Sequence, residues 1–128
     1  MNENKSKTIL IIEDNSDMGY ALVVMLQSAD YMTIAATDGE SGLDMALQQH
    51  PDAILLDLKL PKLDGKDVLR KIREDEWGKR VPVIVLTNED DTKTIADTVE
   101  HSAQGYFIKA ETRLDTVVDS LNEIFQYS

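Results

Sequence analysis

The sequence contains no cysteine among its 128 residues. Disulfide frameworks, thiolate zinc sites and cysteine nucleophiles are therefore excluded, because each needs at least one cysteine side chain. A chain without cysteine is compatible with a reducing compartment, and we expect a cytoplasmic protein.

Long apolar runs are also missing. Residues 1–7 are polar and lead directly into a candidate strand, and no later stretch has the length of a signal peptide or a membrane helix. With 42% hydrophobic residues, the chain can still build a core. We therefore expect one domain over residues 1–128, with a polar extension at 1–7 and no membrane contact.

Basic residues are scarce relative to acids. The sequence has 13 Lys and Arg against 24 Asp and Glu, which gives a formal net charge of -11. Because nucleic-acid backbones and anionic lipids attract basic surfaces, we expect no direct nucleic-acid binding and no lipid docking. Solubility is the simpler explanation of the acidity, and a second is that some acids cluster to hold a divalent cation.

What the sequence does contain is a set of short apolar runs. Such runs suit strands that are buried on both faces, as in a parallel sheet. Four runs are strong, at residues 9–12, 53–56, 83–86 and 106–108, and a weaker one at 31–36 is typical of an edge strand.

Segments with helical period follow each of these runs. Asn15 or Ser16 can cap the first helix, Pro51 closes the second, and we expect the third to end near Trp77 and Gly78. Alternating strands and helices predict a parallel sheet with helices on both faces. The apolar positions of the five helices are Met18, Ala21, Leu22, Met25 and Leu26; Leu43, Ala46 and Leu47; Val68, Leu69 and Ile72; Ile95, Ala96 and Val99; and Leu114, Val117, Val118, Leu121 and Phe125.

Polar residues stand where four of the strands end. Glu13 and Asp14 end the first, Asp57 ends the third, Thr87 the fourth and Lys109 the fifth. Because the carboxyl ends of parallel strands meet at one edge of a sheet, we expect these side chains to converge in a pocket. Three close carboxylates repel one another unless a cation lies among them, and hard oxygen ligands suit Mg²⁺.

Phosphoryl transfer to a carboxylate needs this combination of residues. Asp57 would be the nucleophile that forms an aspartyl phosphate, and a metal held by Glu13, Asp14 and Asp57 would offset charge on the phosphoryl oxygens. Lys109 would neutralise a further oxygen, and the Thr87 hydroxyl would donate a hydrogen bond to another. A simpler role stays open for Glu13 and Asp14, because acids also favour the start of a helix.

These motifs resemble the receiver domains of response regulators in two-component signalling, over essentially the whole chain. The resemblance lies in five motifs that occur in order: Glu13-Asp14, Asp57 with Pro61 behind it, Asp64-Gly65, Thr87, and Lys109 after Tyr106-Phe107-Ile108. It implies a flavodoxin-like, doubly wound five-stranded parallel sheet of order 2-1-3-4-5 with five helices.

The resemblance also implies a signalling role. A histidine kinase or a histidine phosphotransfer protein would phosphorylate Asp57 with Mg²⁺ present, Thr87 would move toward the phosphoryl group, and Tyr106 would turn inward. The face built from the fourth helix, fifth strand and fifth helix would then bind a downstream protein. Such a switch is no enzyme beyond its own phosphorylation and dephosphorylation. The sequence leaves open whether the chain forms a homodimer, and whether it acts alone or belongs to a longer protein.

Three positions depart from the commonest pattern of that family. Ala110 follows the lysine of the fifth strand, where many members carry proline. Lys59 adds a cation near the pocket that could pair with Glu13 or Glu89, and Asn88 is bulkier than the residue often found at its position. We predict that Lys59 and Asn88 together slow hydrolysis of the aspartyl phosphate.

Other functions fit the sequence less well. A pseudo-receiver, a binding module that works without phosphorylation, would not need the complete set of site residues. A haloacid-dehalogenase-type phosphatase would place a second acid two residues after the nucleophile, where this chain has Lys59, and a nucleotide or flavin binder would want a glycine-rich loop after the first strand. The acids at 89–91 suit the start of a helix, with a metal or partner role as the alternative, and we expect His50 and His101 to face solvent.

Overall fold

Five strands form one parallel sheet in the computed structural model, which describes residues 7–88 and 103–126. The strands are β1 (Thr8–Ile12), β2 (Met32–Ala36), β3 (Ala53–Leu56), β4 (Val83–Thr87) and β5 (Gly105–Ile108). Their order across the sheet is β2-β1-β3-β4-β5, and every neighbouring pair is parallel. The predicted doubly wound sheet of order 2-1-3-4-5 is confirmed.

Four α-helices occur within the described residues. They are α1 (Ser16–Ser28), α2 (Gly39–Gln49), α3 (Gly65–Glu74) and α4 (Leu114–Gln126). None of them is long and apolar enough to cross a membrane. Helix α4 corresponds to the fifth predicted helix; the predicted fourth helix with Ile95, Ala96 and Val99, the acids at 89–91, and His101 lie outside the described residues.

The strands alternate their side chains between two apolar layers. On one face, Ile9 and Ile11 pack with residues of α1 and α4 such as Leu22 and Leu121. On the other face, side chains of the same strands pack with residues of α2 and α3: Leu10, Ile12, Ile54 and Leu56 meet Ala46, Val68, Leu69 and Ile72. This alternation has the period of two that a strand requires, and it places helices on both faces, as predicted.

The third helix ends earlier than the sequence predicts. It stops at Glu74, and Trp77 and Gly78 belong to a separate short 3-10 turn. Asp75 adopts an extended backbone, and its carboxylate accepts a hydrogen bond from the Trp77 N–H at 3.0 Å. A side chain that hydrogen-bonds a nearby backbone amide competes with the helix in this way, which explains the earlier end.

An exposed histidine stacks on the only tryptophan at the ends of α2 and α3. His50 follows α2 with a left-handed backbone (φ 49°), and its ring lies parallel to that of Trp77 with the centroids 4.5 Å apart. The stack joins the segment after α2 to the segment after α3.

Two polar residues complete the amino-terminal edge of the sheet. Asp52 precedes β3, and its carboxylate and N–H both bond the backbone of Thr8. Gln104 precedes β5 and brackets the backbone of Val83 in the same way. The half-buried guanidinium of Arg73 then donates to backbone carbonyls after α3 and to the Gln104 side chain. Side chains thus extend the strand pairing by one residue at two places.

Candidate functional site

The predicted site residues stand at the opposite, carboxyl-terminal edge of the sheet. Glu13 directly follows β1, Asp57 follows β3, Thr87 is the last residue of β4, and Lys109 follows β5. These four strands are adjacent in the sheet. Because they are parallel, their ends lie side by side, and Asp14 follows Glu13 at the same edge.

Lys109 bridges two buried carboxylates at this edge. Its Nζ lies 2.8 Å from Oδ2 of Asp57 and 2.5 Å from Oε1 of Glu13. Glu13 and Asp57 are only 4% and 6% exposed. One ammonium group therefore offsets part of the repulsion between two carboxylates in a region of low water access.

Backbone amides hold the second oxygen of each carboxylate. The Asn15 N–H donates to Oε2 of Glu13 at 3.0 Å, and the Lys59 N–H donates to Oδ1 of Asp57 at 3.2 Å. Asn15 also caps α1 by accepting a hydrogen bond from the Met18 N–H. The chain therefore turns at Asn15, and the Glu13 side chain is bonded to the backbone of this turn. Both acids are consequently fixed in place by the turns that follow their strands.

The electrostatic environment shifts the pKa values of two of these groups. Burial raises the pKa of Glu13, and the charge of Asp57 adds to the increase, although hydrogen bonds from Lys109 and Asn15 oppose it. Burial by itself would lower the pKa of Lys109, but its hydrogen bonds and attraction to Asp57 and Glu13 outweigh burial and raise it. The lysine is therefore held as a cation by its two partners.

The three acids are spaced to hold a metal ion. Glu13, Asp14 and Asp57 each offer an oxygen within 4.8 Å of the other two. Asp14 is exposed while the other two are buried, so the set faces solvent on one side. Three carboxylate oxygens with room for water are what Mg²⁺ prefers, and the residues present fit that ion.

An open cleft of about 510 Å³ lies above this edge of the sheet. The buried Asp57 and Thr87 form part of its wall, and the exposed Lys59 and Asn88 stand beside them. The complete lining is Asp14, Asn15, Ser16, Asp57, Lys59, Thr87, Asn88 and Lys109. Of the predicted site residues, only Glu13 and Tyr106 are missing from this lining. Glu13 nevertheless contacts Lys109, which is part of it.

Helix α3 begins directly against the backbone of Asp57. The Gly65 N–H donates to the Leu58 carbonyl at 2.8 Å. A Cβ at position 65 would lie 2.2 Å from the Asp57 carbonyl oxygen, which is closer than any real contact. Only glycine permits this approach, so Gly65 fixes how the strand that carries Asp57 meets the next helix.

The remaining predicted residues are placed as follows. Tyr106 is half-buried in β5 and pairs in register with Val85. Ala110 lies in a short 3-10 turn with Lys109, and the described residues contain no cis peptide bond. The sequence predicts Glu13 or Glu89 as a partner for Lys59. Glu13 forms an ion pair with Lys109, and Glu89 lies outside the described residues.

Asn15 is a site residue that the sequence pattern indicates only as a helix cap. In the structure it donates its N–H to Glu13 and also lines the cleft. Its position immediately after an acid pair at a strand end was the available signal.

Comparison with known proteins points to one family. A family model described as the response regulator receiver domain matches residues 9–121. The response regulator ArlR of Staphylococcus aureus is 35% identical over 101 residues, which cover 79% of this chain and 45% of ArlR. The chain therefore spans less than half the length of that relative.

Solved structures show the same relationship. The receiver domain of the sensor histidine kinase PA1611 from Pseudomonas aeruginosa, solved with a magnesium ion coordinated in its active-site cleft, is 32% identical with a TM-score of 0.83, covering 91% of this chain and 95% of that one. A Francisella receiver domain, from response regulator 1452, shares the fold at 21% identity and a TM-score of 0.87, covering 95% of this chain and 98% of that one.

Proposed function

The chain belongs to the response-regulator receiver family, and we propose that it is a phosphoacceptor switch of a two-component phosphorelay. The observation that carries the proposal is the shared ammonium of Lys109, which contacts Asp57 and Glu13 at the base of an open, acid-lined cleft. A binding module without phosphorylation would gain nothing from keeping two buried acids and a lysine together.

Asp57 is the acceptor in this proposal. A carboxylate oxygen of Asp57 attacks the phosphorus of a phosphohistidine, the P–N bond to the donor breaks, and a P–O bond to Asp57 forms. Lys109 already lies 2.8 Å from that carboxylate, so it can follow the negative charge onto the phosphoryl oxygens without a large movement. The Thr87 hydroxyl would donate to a further oxygen.

Glu13, Asp14 and Asp57 would hold Mg²⁺. When bound, the ion would offset negative charge on the phosphoryl oxygens. Support comes from the 4.8 Å spacing of the three acids and from the magnesium ion in the cleft of the PA1611 receiver domain.

The output would be a change in the surface next to the cleft. Thr87 moves toward the phosphoryl group, Tyr106 turns inward from its half-buried position, and the two packings differ in their contacts to phosphate. The face made by the predicted fourth helix, β5 and α4 would then bind a downstream protein. The donor would be a histidine kinase or a histidine phosphotransfer protein in the cytoplasm, and the chain would act on no substrate other than itself.

The lifetime of the phosphate would depend on two residues of the cleft wall. Lys59 and Asn88 are both exposed and line the cleft beside Asp57, where they can limit the approach of the attacking water. We expect Lys59→Asn combined with Asn88→Ala to increase the dephosphorylation rate several-fold. An unchanged rate in this double variant would contradict the role of both residues.

Incubation with Mg²⁺ and acetyl phosphate, followed by intact-mass measurement, tests the proposed function. We expect the mass of one phosphoryl group to be added to the wild-type chain, and no addition in Asp57→Asn or in EDTA. Asp52→Asn is the matched control, because Asp52 lies at the other edge of the sheet, and it should still be phosphorylated. The absence of any adduct in the wild-type chain, with acetyl phosphate and with phosphorylated donor proteins, would favour the pseudo-receiver.

A further inference from the structure

The basic residues of this acidic chain are concentrated in one segment. Residues 59–73 contain six basic and two acidic side chains, a net charge of +4 in a chain of net charge -11. The rest of the chain therefore carries -15. This segment is the loop that leaves Asp57 together with most of α3.

The basic residues of this segment fall into two groups. Arg70 and Arg73 are already engaged, Arg70 in ion pairs with Asp67 and Glu74, and Arg73 with backbone carbonyls. The second group is four exposed lysines: Lys59, Lys62, Lys66 and Lys71. We call the three that come first after Asp57 the lysine rim: Lys59, Lys62 and Lys66.

The lysine rim follows the acceptor Asp57 closely along the chain. Lys59 lines the cleft itself. Lys62 has 63% of its side chain exposed and lies 4.0 Å from a carboxylate oxygen of Asp38, a separation at the limit of an ion pair. Lys66 follows Gly65, the residue that abuts the Asp57 carbonyl, so its position is close to the acceptor along α3.

A phosphodonor meets an electrostatic barrier at this protein. The donor is an anion, the chain has a net charge of -11, Asp14 and Asp57 line the cleft, and Glu13 contacts Lys109 of the same lining. Salt screens exposed charges beyond a Debye length of roughly 10 Å at 0.1 M. The charges within that distance of the mouth therefore decide whether the local potential repels or attracts the donor.

We propose that Lys62 and Lys66 steer a small dianionic acyl phosphate into the cleft and thereby determine the rate of direct phosphorylation of Asp57. The proposal rests on the proposed function, because it concerns the donor of the same site. A small donor has no docking surface of its own, so the local potential is what guides its approach. Lys59 is left out of this proposal because it lines the cleft itself, so that its substitution would also change the shape of the cleft.

A charge-reversal experiment with a matched control tests the proposal. The test variant is Lys62→Glu with Lys66→Glu, and the control is Lys79→Glu with Arg80→Glu. Both change the net charge by the same amount, and all four side chains are exposed. Lys79 and Arg80 precede β4 at the amino-terminal edge of the sheet, and a strand of five residues is about 17 Å long, so the control charges lie beyond a Debye length from the cleft.

The bimolecular rate constant for acetyl phosphate is measured with Mg²⁺ at low salt, about 0.1 M, and at high salt, about 1 M. At low salt we expect the test variant to react roughly five-fold more slowly than wild type and the control variant within two-fold of it. The difference should largely vanish at high salt. With phosphoramidate, which carries one negative charge at neutral pH instead of two, the loss should be smaller.

Three outcomes would overturn the proposal: equal rates in test variant and wild type, an equal loss in both double variants, or a loss that persists at high salt. The uncharged double variant Lys62→Gln with Lys66→Gln is a second test. Because it changes the net charge by half as much, we expect about half the decrease in the logarithm of the rate constant. Urea unfolding confirms that each variant is folded. If the wild-type chain were not phosphorylated at all, the proposed function would fail, and that result is distinct from unchanged rates.

Discussion

The two edges of the sheet both hold polar side chains, but they satisfy them differently. At the amino-terminal edge, Asp52, Arg73 and Gln104 bond mainly to backbone amides and carbonyls. At the carboxyl-terminal edge, Glu13 and Asp57 share the ammonium of Lys109 beside an open cleft. The first edge therefore has fixed partners, whereas the second has charged partners that a ligand can replace.

This difference separates structural from functional polar groups in one fold. A backbone carbonyl cannot leave its place without disturbing a strand or a turn, so a group bonded to it is fixed as well. A lysine between two carboxylates reduces the repulsion between them until another charged group enters. We expect variants at the amino-terminal edge to lose stability alone, and variants at the cleft to lose stability and phosphorylation together.

The largest effect is expected for Lys109→Met. The change leaves Glu13 and Asp57 close together without a cation, which costs about 3 kcal/mol of unfolding free energy at pH 7 in EDTA. Protonation of Glu13, whose pKa burial already raises, removes one of the two charges in the folded state. The deficit should therefore shrink as the pH falls. Urea unfolding followed by circular dichroism measures both effects.

Lys79→Met is the control for that variant. Lys79 pairs with Glu76 at 2.7 Å, but both side chains are exposed, and such surface pairs contribute less than about 1 kcal/mol. A similar loss in the two variants would show that the cleft pair is no different from a surface pair.

A smaller loss is expected for Arg73→Met. The variant leaves the carbonyls of Gly78 and Val81 and the Gln104 side chain without this donor, which costs about 2 kcal/mol. Phosphorylation by acetyl phosphate should stay within two-fold of wild type, because the change lies at the opposite edge. Arg70→Met, which removes only exposed ion pairs, is the control. Loss of phosphorylation in a folded Arg73→Met chain would contradict the separation of the two edges.

The smallest effect concerns Tyr31, which precedes β2 at the amino-terminal edge. Its hydroxyl donates to the Asn122 side chain at 2.6 Å, and burial raises the pKa of Tyr31 to about 12. Because the unfolded chain ionises near pH 10, the stability that comes from the neutral phenol is complete below pH 10 and is lost as the pH rises toward 12.

Tyr31→Phe isolates this contribution. Between pH 10 and 11, the unfolding free energy of wild type should fall by about 1 kcal/mol more than that of the variant. Parallel pH profiles for the two proteins would contradict the buried, protonated phenol. Tyr20→Phe is the control, because Tyr20 is 72% exposed.

The sheet could be predicted closely because each strand is encoded by a short run of neighbouring apolar residues. Apolar runs at 9–12 and 83–86 became β1 and β4 with one added residue each, since a buried strand needs little beyond apolar side chains. The predicted end of α3 was wrong because the Asp75 carboxylate accepts a hydrogen bond from the Trp77 N–H. A polar side chain can stabilise a turn instead of a helix without changing the apolar pattern.

The convergence of acids at one edge was also predictable, since parallel strands put their ends together. What the sequence could not provide is which atoms meet. Lys109 lies 52 residues from Asp57 and reaches Glu13 as well, and Arg73 reaches Gln104 across 31 residues. Such contacts depend on the paths that extended lysine and arginine side chains take between packed elements. A local sequence pattern does not specify these paths.

The stack of His50 on Trp77 has a practical consequence for spectroscopy. Trp77 is the only tryptophan, and it lies beside the ends of α2 and α3, away from the cleft. Its fluorescence therefore reports the integrity of the amino-terminal edge, where the imidazole ring of His50 is stacked against the indole. Intrinsic emission is suited to following unfolding, and an added chromophore near the cleft is needed to follow the chemistry of Asp57.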